Sequence, residues 1–424
     1  MSIPLRRVLI VNTHSVLNSG DASIVLAQAG WLKNAYPGCL ISLTSRTPKA
    51  DRLIYEPLGL RVIPSFYDVP SCFSGGLDKW TGTLSSLIRV RAKTDLVREI
   101  SRADLVIGSG GGYFYSNRAF GPGPMFLLNI LHLKTACLLK KPVILFPQSF
   151  GPVFDSRSAG LLRNLLVDRA VKRVLVREEN SLRYLDRLLG SAYDPDRFVL
   201  CPDMAFLLPP GARAEDGPRM VRPATAVTVR SWDFPEAASA SDKAARRRAY
   251  FSSLEETLVG IHRKRGGSIV LFPQSRGPGA FENDRPASLR LYRALQPRIP
   301  SDRLTWVDLP DVVSPGVIDS LCARADLLLA TRFHSAILAL QSGTPVLSLN
   351  YQPKSSGMMG LLGLRRYSVD LADARPEILG PLAEELLEKG AGLRSSLLER
   401  VGRIRETAER VLRESLEGTG IVRP

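Results

Sequence analysis

The sequence predicts an α/β protein built from two similar halves, and three observations carry that prediction. The loop Phe146-Pro-Gln-Ser-Phe-Gly-Pro152 recurs 126 residues later as Phe272-Pro-Gln-Ser-Arg-Gly-Pro278, and each copy follows a short apolar run, residues 143–145 and 269–271. The run at 103–108 resembles that at 325–330 in the same way. Short apolar runs also alternate with helical patterns along the chain, as in parallel sheets buried on both faces. The repeat is too long for a solenoid unit and suits a doubled domain.

In chain order, residues 8–11 read as the first strand, followed by a polar loop to Gly20. Gly20 permits a tight turn, and Asp21 stands where it can cap the helical pattern of 22–34. A strand, a glycine loop and a helix are the ingredients of a phosphate or sugar site, and equally of an ordinary connector. With Asn18 in it, this loop matches neither G-x-G-x-x-G nor the Walker pattern, so no nucleotide site is predicted. Strands are expected at 40–44 and 60–63, then a Gly/Ser/Pro-rich loop at 67–82 and a basic helix at 84–100. The strand at 103–108 runs into Ser109-Gly110-Gly111-Gly112. Glycines at a strand's carboxyl end let a ligand approach the backbone closely. The aromatic run Tyr113, Phe114, Tyr115 beside them suits either a sugar ring or packing.

Residues 209–223, rich in Pro, Gly and charge, mark a domain boundary. The expected division is therefore 1–209, 223–375 and a helical tail, 376–424, packing back on the first domain. The second half opens with a strand, 226–230, ending in Arg230. Its other landmark is residues 325–354. A buried strand, 327–330, leads through Arg332, Phe333 and His334 into a helix closed by Gly343 and Pro345, before the strand at 345–349. In open α/β sheets ligands bind at the carboxyl edge of the strands. An arginine, a histidine and the free N–H groups of a helix start make an anion trap there. The alternative is a helix-capping histidine beside a solvated arginine. In the tail, Leu393, Leu397, Val401, Ile404, Ala408 and Val411 recur at three- and four-residue steps, so one face is expected to be buried and its arginines solvated or on anionic lipid.

Composition narrows the partners. The chain has 424 residues, enough for two or three domains, and a net charge of +16 with a pI near 9.9. That balance points to an anionic partner: a phosphorylated metabolite, an acidic glycan or a membrane surface. Nucleic acid is not expected, because the basic residues are scattered and no aromatic-rich nucleic-acid motif is present. Five cysteines, never spaced C-x-x-C, fit a reducing compartment and no structural zinc. The amino-terminal apolar run is only four residues, far below a signal core or membrane span. A cytoplasmic protein, peripheral at most to the inner membrane face, is the expectation.

The succession NSGDASIVLA (18–27), GSGGGYFYS (108–116), FPQSFGP, VREENSLRYL (176–185), CPDMAFLL (201–208), FPQSRGP and TRFHSAILALQSGTPVLSLNYQPKSSGMMGLLGL (331–364) resembles the polysaccharide pyruvyl transferase family. The resemblance implies a GT-B-like fold, two Rossmann-like domains facing across a cleft. It implies transfer of the pyruvate skeleton of phosphoenolpyruvate to two hydroxyls of one sugar, with release of phosphate. Phosphoenolpyruvate is then a co-substrate, and no cofactor or metal is called for. The acceptor is a sugar, free in a polysaccharide or lipid-linked. The family's Arg-x-His corresponds to Arg332-Phe333-His334, its strand-ending arginine to Arg230 and its lysine to Lys354. With Gln274 of the second FPQS loop these are assigned to phosphoenolpyruvate. Asn18, Gly20, Asp21, Gly110, Gly111, Gly112 and Gln148 are assigned to the acceptor, in the first domain.

The residue types suit that chemistry. Arginine forks bind carboxylate and phosphate, and lysine serves as a point charge. Ketal formation needs proton transfers in both directions, which histidine can perform near neutral pH. His334 is the candidate acid/base, with His14 second. His132 and His262 lie within helical patterns and are expected to be structural. Two other readings stand beside this one. A GT-B glycosyltransferase would need a nucleotide site, for which no acidic ribose partner is evident next to Arg332 and His334. A non-catalytic basic scaffold would bind acidic glycan by charge alone and would not need a histidine between anion-binding groups.

Overall fold

The computed structural model describes residues 3–66, 94–116, 121–210, 218–351 and 354–422. The expected loop at 67–82, the first part of the basic helix at 84–100 and the middle of the 209–223 boundary lie outside these residues. The chain divides into two units. The first comprises Met1–Val16, Asp21–Leu208 and Ile404–Pro424, and the second Leu17–Gly20 and Pro209–Arg403.

In the second unit six parallel strands lie in the order Leu304–Trp306, Ile269–Leu271, Thr225–Thr228, Leu327–Ala330, Val346–Asn350, Ser368–Asp370. Numbered along the unit this is 3-2-1-4-5-6, the doubly wound order. The first unit follows the same plan: Arg61–Pro64, Leu40–Ser45, Arg7–Val11, Leu105–Gly108, Val143–Phe150, Val171–Val176, Phe198–Leu200, all parallel. The central strands are short and buried along their whole length, as expected of a parallel sheet covered on both faces. Leu105–Gly108, Thr225–Thr228 and Leu327–Ala330 are buried throughout. Both copies of the repeated heptapeptide end on a cis Gly–Pro bond, Gly151–Pro152 and Gly277–Pro278.

The two copies differ at their glutamines. Gln274 lies on a loop, as expected, but the Val143–Phe150 strand runs through Gln148. The cause is an extra short strand, Gly111–Phe114, that pairs with it, Gly111 opposite Gln148. The first helix also starts earlier than expected. It spans Ser19–Ala35, so Asp21 lies in its first turn, at the positive end of the dipole, and is not the cap.

The tail helix, Pro376–Glu417, is broken at Gly390 (φ 39°). Leu397 and Val401 are buried in the second unit, and Ile404, Ala408 and Val411 in the first. Among the described residues three of its arginines serve carbonyls, Arg400 through Leu362 O. Arg394 donates to Ser342 O (2.9 Å), at the carboxyl end of the Phe333–Gln341 helix, and Arg405 to Phe206 O (2.7 Å). A cation at a helix carboxyl end satisfies orphan carbonyls and opposes the dipole.

His132, inside the Pro124–Leu138 helix, belongs to the core of the first unit. Its Nδ1 lies 2.8 Å from Asn12 Oδ1 and its Nε2 3.0 Å from Ser65 Oγ, while the ring stacks on Phe66. An amide oxygen only accepts, so Nδ1 carries the proton and Nε2 accepts from the serine. Burial lowers this imidazole from 6.5 to about 3. The unfolded chain then binds a proton that the folded chain refuses. Stability present above pH 6.5 should fall by about 1.4 kcal/mol per pH unit as pH drops toward 3. Urea unfolding of native and His132→Gln protein from pH 7 to 4 checks this. The variant should lose roughly one proton's worth of slope, and parallel profiles would contradict the assignment.

Candidate functional site

A doubly wound sheet offers its ligand site where the strand order reverses, at the carboxyl ends of the two central strands. In the second unit those strands are Thr225–Thr228 and Leu327–Ala330, and the residues just beyond them are Arg230 and Arg332-Phe333-His334. Hydroxyls tie the two loops together. The Arg230 N–H donates to Thr331 Oγ1 (2.8 Å), Thr331 Oγ1 donates to Thr228 O (3.0 Å), and Thr228 Oγ1 lies 2.8 Å from Ser335 Oγ. A hollow lined by Met220, Arg222, Ala323 and Arg324 opens at the opposite, amino end of these strands, where this topology places no ligand.

The two arginines have different environments. Arg332 is 6% exposed, and its Nε donates to both oxygens of Asp284 (3.0 and 2.9 Å). Its Nη2 bonds Asp284 Oδ1 and also donates to Glu282 O (2.8 Å). Asp284 is fully buried and also accepts from the Ser275 N–H (3.0 Å), which joins the second FPQS loop to the pair. Burial pushes the Asp284 carboxyl up, and the Arg332 charge opposes that shift. For Arg332, burial works downward, but the Asp284 carboxylate outweighs it and holds the guanidinium above its ordinary value. The pair is ionised, because a guanidinium keeps its proton and can only donate.

Arg230 is half-buried and lies against aromatic faces. Its Cζ is 4.6 Å from the ring centre of Tyr351 and 5.3 Å from that of Trp232. No carboxylate hydrogen-bonds it among the described residues, and its Nε is buried without a hydrogen-bond partner there. Lys354 begins the Lys354–Leu361 helix, and its side chain lies outside the described residues.

His334 occupies the first turn of the Phe333–Gln341 helix, edge-on to Phe333 at 5.1 Å. It lies close to Gly20, in a segment, residues 17–20, that runs beside the second FPQS loop. The Arg276 N–H donates to Leu17 O (2.7 Å), Asn18 bridges Ser275, and the Asn18 side chain accepts from the Gly20 N–H (3.1 Å). A Cβ on Gly20 would lie 2.5 Å from His334 Nδ1 and 2.7 Å from Gln274 Nε2. The structure thus brings Asn18 and Gly20 together with Gln274 and His334. Gly20→Ala forces a shift in this contact and should cost the second unit about 1–3 kcal/mol, an ordinary overpacking penalty. Chemical denaturation reads it, and native stability in Gly20→Ala would contradict the close approach.

The remaining predicted residues lie in the first unit. Asp21 Oδ2 is 3.9 Å from His14 Nδ1, and Arg46 bonds the same imidazole nitrogen. A Cβ on Gly110 would meet Pro147 O at 2.9 Å, so this glycine permits close packing of the chain on itself. Gly111 has φ 144°, and Gly112 continues the short strand to Tyr113 and Phe114, both buried. Gln148 is buried, its Nε2 lying 3.4 Å from Gly108 O. Asp203 caps the turn at Met204–Leu207 and pairs with Arg177. Among the described residues no three His, Cys, Asp or Glu side chains are grouped to hold a metal. No helix among them is long and apolar enough to cross a membrane.

Asp284, Trp232, Tyr351 and Arg46 escaped the sequence reading. Asp284 meets Arg332 across 48 residues, and neither a period nor a motif links them. Trp232 offered a weak signal, an aromatic two residues beyond a strand-ending arginine.

Comparison with known proteins agrees with this architecture. The solved UDP-GlcNAc 2-epimerase from Neisseria meningitidis, bound to UDP-GlcNAc, superposes with a TM-score of 0.54 at 12% identity, over 97% of this chain and 99% of that one. UGT89C1 of Arabidopsis thaliana, complexed with UDP, gives 0.56 at 13% identity, over 97% and 99%. At such identities the likeness is one of fold, the GT-B-like class with two parallel-sheet α/β domains. In sequence, the amylovoran biosynthesis protein AmsJ of Erwinia amylovora is 23% identical over 394 residues, 86% of this chain and 88% of AmsJ. The family model for polysaccharide pyruvyl transferase matches residues 18–353, a span that runs from Asn18 through the switch-point loops of both units, and by that match this transferase belongs to the polysaccharide pyruvyl transferase family.

Proposed function

We propose that the enzyme transfers the pyruvate skeleton of phosphoenolpyruvate to two hydroxyls of one sugar in an exopolysaccharide or its precursor. A cyclic ketal forms and phosphate is released. The observation that carries this reading is Arg230, a guanidinium at the switch-point edge that is not neutralised by a hydrogen-bonded carboxylate among the described residues, on the loop neighbouring His334. The similarity to an amylovoran biosynthesis protein supports a polysaccharide pathway.

The proton ledger assigns the roles. The CH₂ carbon of phosphoenolpyruvate takes a proton and becomes the methyl group, leaving C2 electrophilic. One sugar hydroxyl attacks C2, the C–O bond to phosphate breaks, and the second hydroxyl closes the ring. Two hydroxyl protons leave; one balances the new methyl group and the other leaves with phosphate. His334 delivers the first proton and is reset by a hydroxyl proton. Arg230 binds the donor's anionic groups through its fork, Gln274 adds an amide N–H, and Lys354 adds a point charge. Arg332 acts from behind, through Asp284 and Ser275, by holding the second FPQS loop in place.

Calorimetric titration with phosphoenolpyruvate tests the donor assignment. Arg230→Ala should weaken binding by about 2–5 kcal/mol, the usual cost of removing one member of a close charge pair. Arg230→Lys should recover only part, because lysine lacks the fork. An unchanged dissociation constant in Arg230→Ala would move the donor elsewhere.

A further inference from the structure

The arginine at the end of the Thr225–Thr228 strand is held in an unusual way. Trp232 and Tyr351 pack on each other with ring centres 4.5 Å apart and planes inclined by 38°, and the Arg230 guanidinium lies against both. We propose that Trp232 and Tyr351 are positioning residues for the donor: an aromatic corner that fixes the Arg230 fork without hydrogen-bonding it to a carboxylate. This rests on the phosphoenolpyruvate reading above and extends it to two residues outside the Arg-x-His pattern.

The argument turns on how a guanidinium can be immobilised. Other arginines of this unit are fixed by carboxylates: Arg332 by Asp284, Arg276 by Asp311 and Arg285 by Asp308. A carboxylate fixes the fork but cancels its charge and occupies its N–H groups. An aromatic face attracts the cation through its quadrupole and leaves the in-plane N–H groups to another partner. Ordering a long side chain beforehand removes an entropy cost that would otherwise fall on ligand binding. A bidentate anion can then be met by a fork already in place.

The two rings also come from different strand ends. Trp232 lies on the same loop as Arg230, while Tyr351 follows the Val346–Asn350 strand, two positions across the sheet. The corner therefore ties the Arg230 loop to the loop that leads into the Lys354–Leu361 helix. Losing either ring frees the fork while leaving its charge in place. The defect should appear in donor binding and much less in the chemical step.

The test compares ring-keeping with ring-removing substitutions. Phosphoenolpyruvate is titrated into native, Trp232→Phe, Tyr351→Phe, Trp232→Leu and Tyr351→Leu enzymes, and KM and kcat are measured with it. The leucine variants should bind phosphoenolpyruvate about 2–30-fold more weakly, the span expected for loss of a cation–π contact, with KM raised and kcat near native. The phenylalanine variants should stay close to native. In an Arg230→Ala background the leucine substitutions should add no further loss, which separates positioning of Arg230 from general damage. Native binding by both leucine variants, or equal losses with and without Arg230, would overturn the corner while the donor reading stood. If the native enzyme bound no phosphoenolpyruvate, the donor reading would fall and the corner with it.

Discussion

His334→Ala is expected to lower turnover by about 10²–10⁴-fold, the range for a positioned general acid or base. Phosphoenolpyruvate binding should largely survive, because the proposed donor site assigns that charge to Arg230. His334→Gln should fail equally, since an amide restores hydrogen bonding but carries no transferable proton. The position makes the prediction specific. His334 stands in the first turn of a helix at the switch point, its ring edge-on to Phe333 and its Nδ1 close to where a Cβ on Gly20 would lie. Single-turnover phosphate release by native and variant enzymes is the measurement. Release at near-native rate by His334→Gln would remove this imidazole from the mechanism. His14, which follows the Arg7–Val11 strand of the first unit beside Asp21 and Arg46, would be the next candidate.

Asp284→Ala is expected to destabilise the second unit by about 3–5 kcal/mol, because it leaves the buried Arg332 charge without its carboxylate. Arg332→Ala should cost a similar amount for the mirror-image reason. Lost phosphoenolpyruvate binding in Arg332→Ala would therefore report a displaced loop as much as a missing donor contact. Replacing both members, Asp284→Leu with Arg332→Met, should recover most of the stability, since a buried pair often does little better than apolar residues of similar size. Equilibrium unfolding followed in the second unit gives both numbers. A wild-type transition in Asp284→Ala would show that the pair does not hold this loop.

Much of the fold was legible because its signals are local. Parallel strands buried on both faces read as short apolar runs, and the duplicated FPQS loop marked the equivalent position in each half. Arg230, Arg332 and His334 were legible for the same reason: each lies within four residues of a strand end that the pattern locates. Their environments were not. That Arg332 is hydrogen-bonded to a carboxylate and Arg230 is held against aromatic rings depends on Asp284 and Tyr351, brought in from distant segments by the strand order, and no spacing encodes those contacts. Gln148 illustrates the same limit. Whether it lies in a loop or a strand is decided by the pairing of Gly111–Phe114 beside it, a tertiary event. At Asp21 the helix began two residues before the residue best suited to cap it, and the carboxylate took a first-turn position that the dipole favours equally.

The central claim is a ketal-forming transfer from phosphoenolpyruvate, and one incubation tests it most directly. The enzyme is mixed with carbon-labelled phosphoenolpyruvate and a sugar acceptor drawn from an exopolysaccharide repeat, and both phosphate release and the label on the glycan are followed. The account predicts equal amounts of phosphate and glycan-bound label, with the label freed as pyruvate by mild acid. No label transfer with phosphoenolpyruvate, together with glycosyl transfer from a nucleotide sugar under the same conditions, would contradict it.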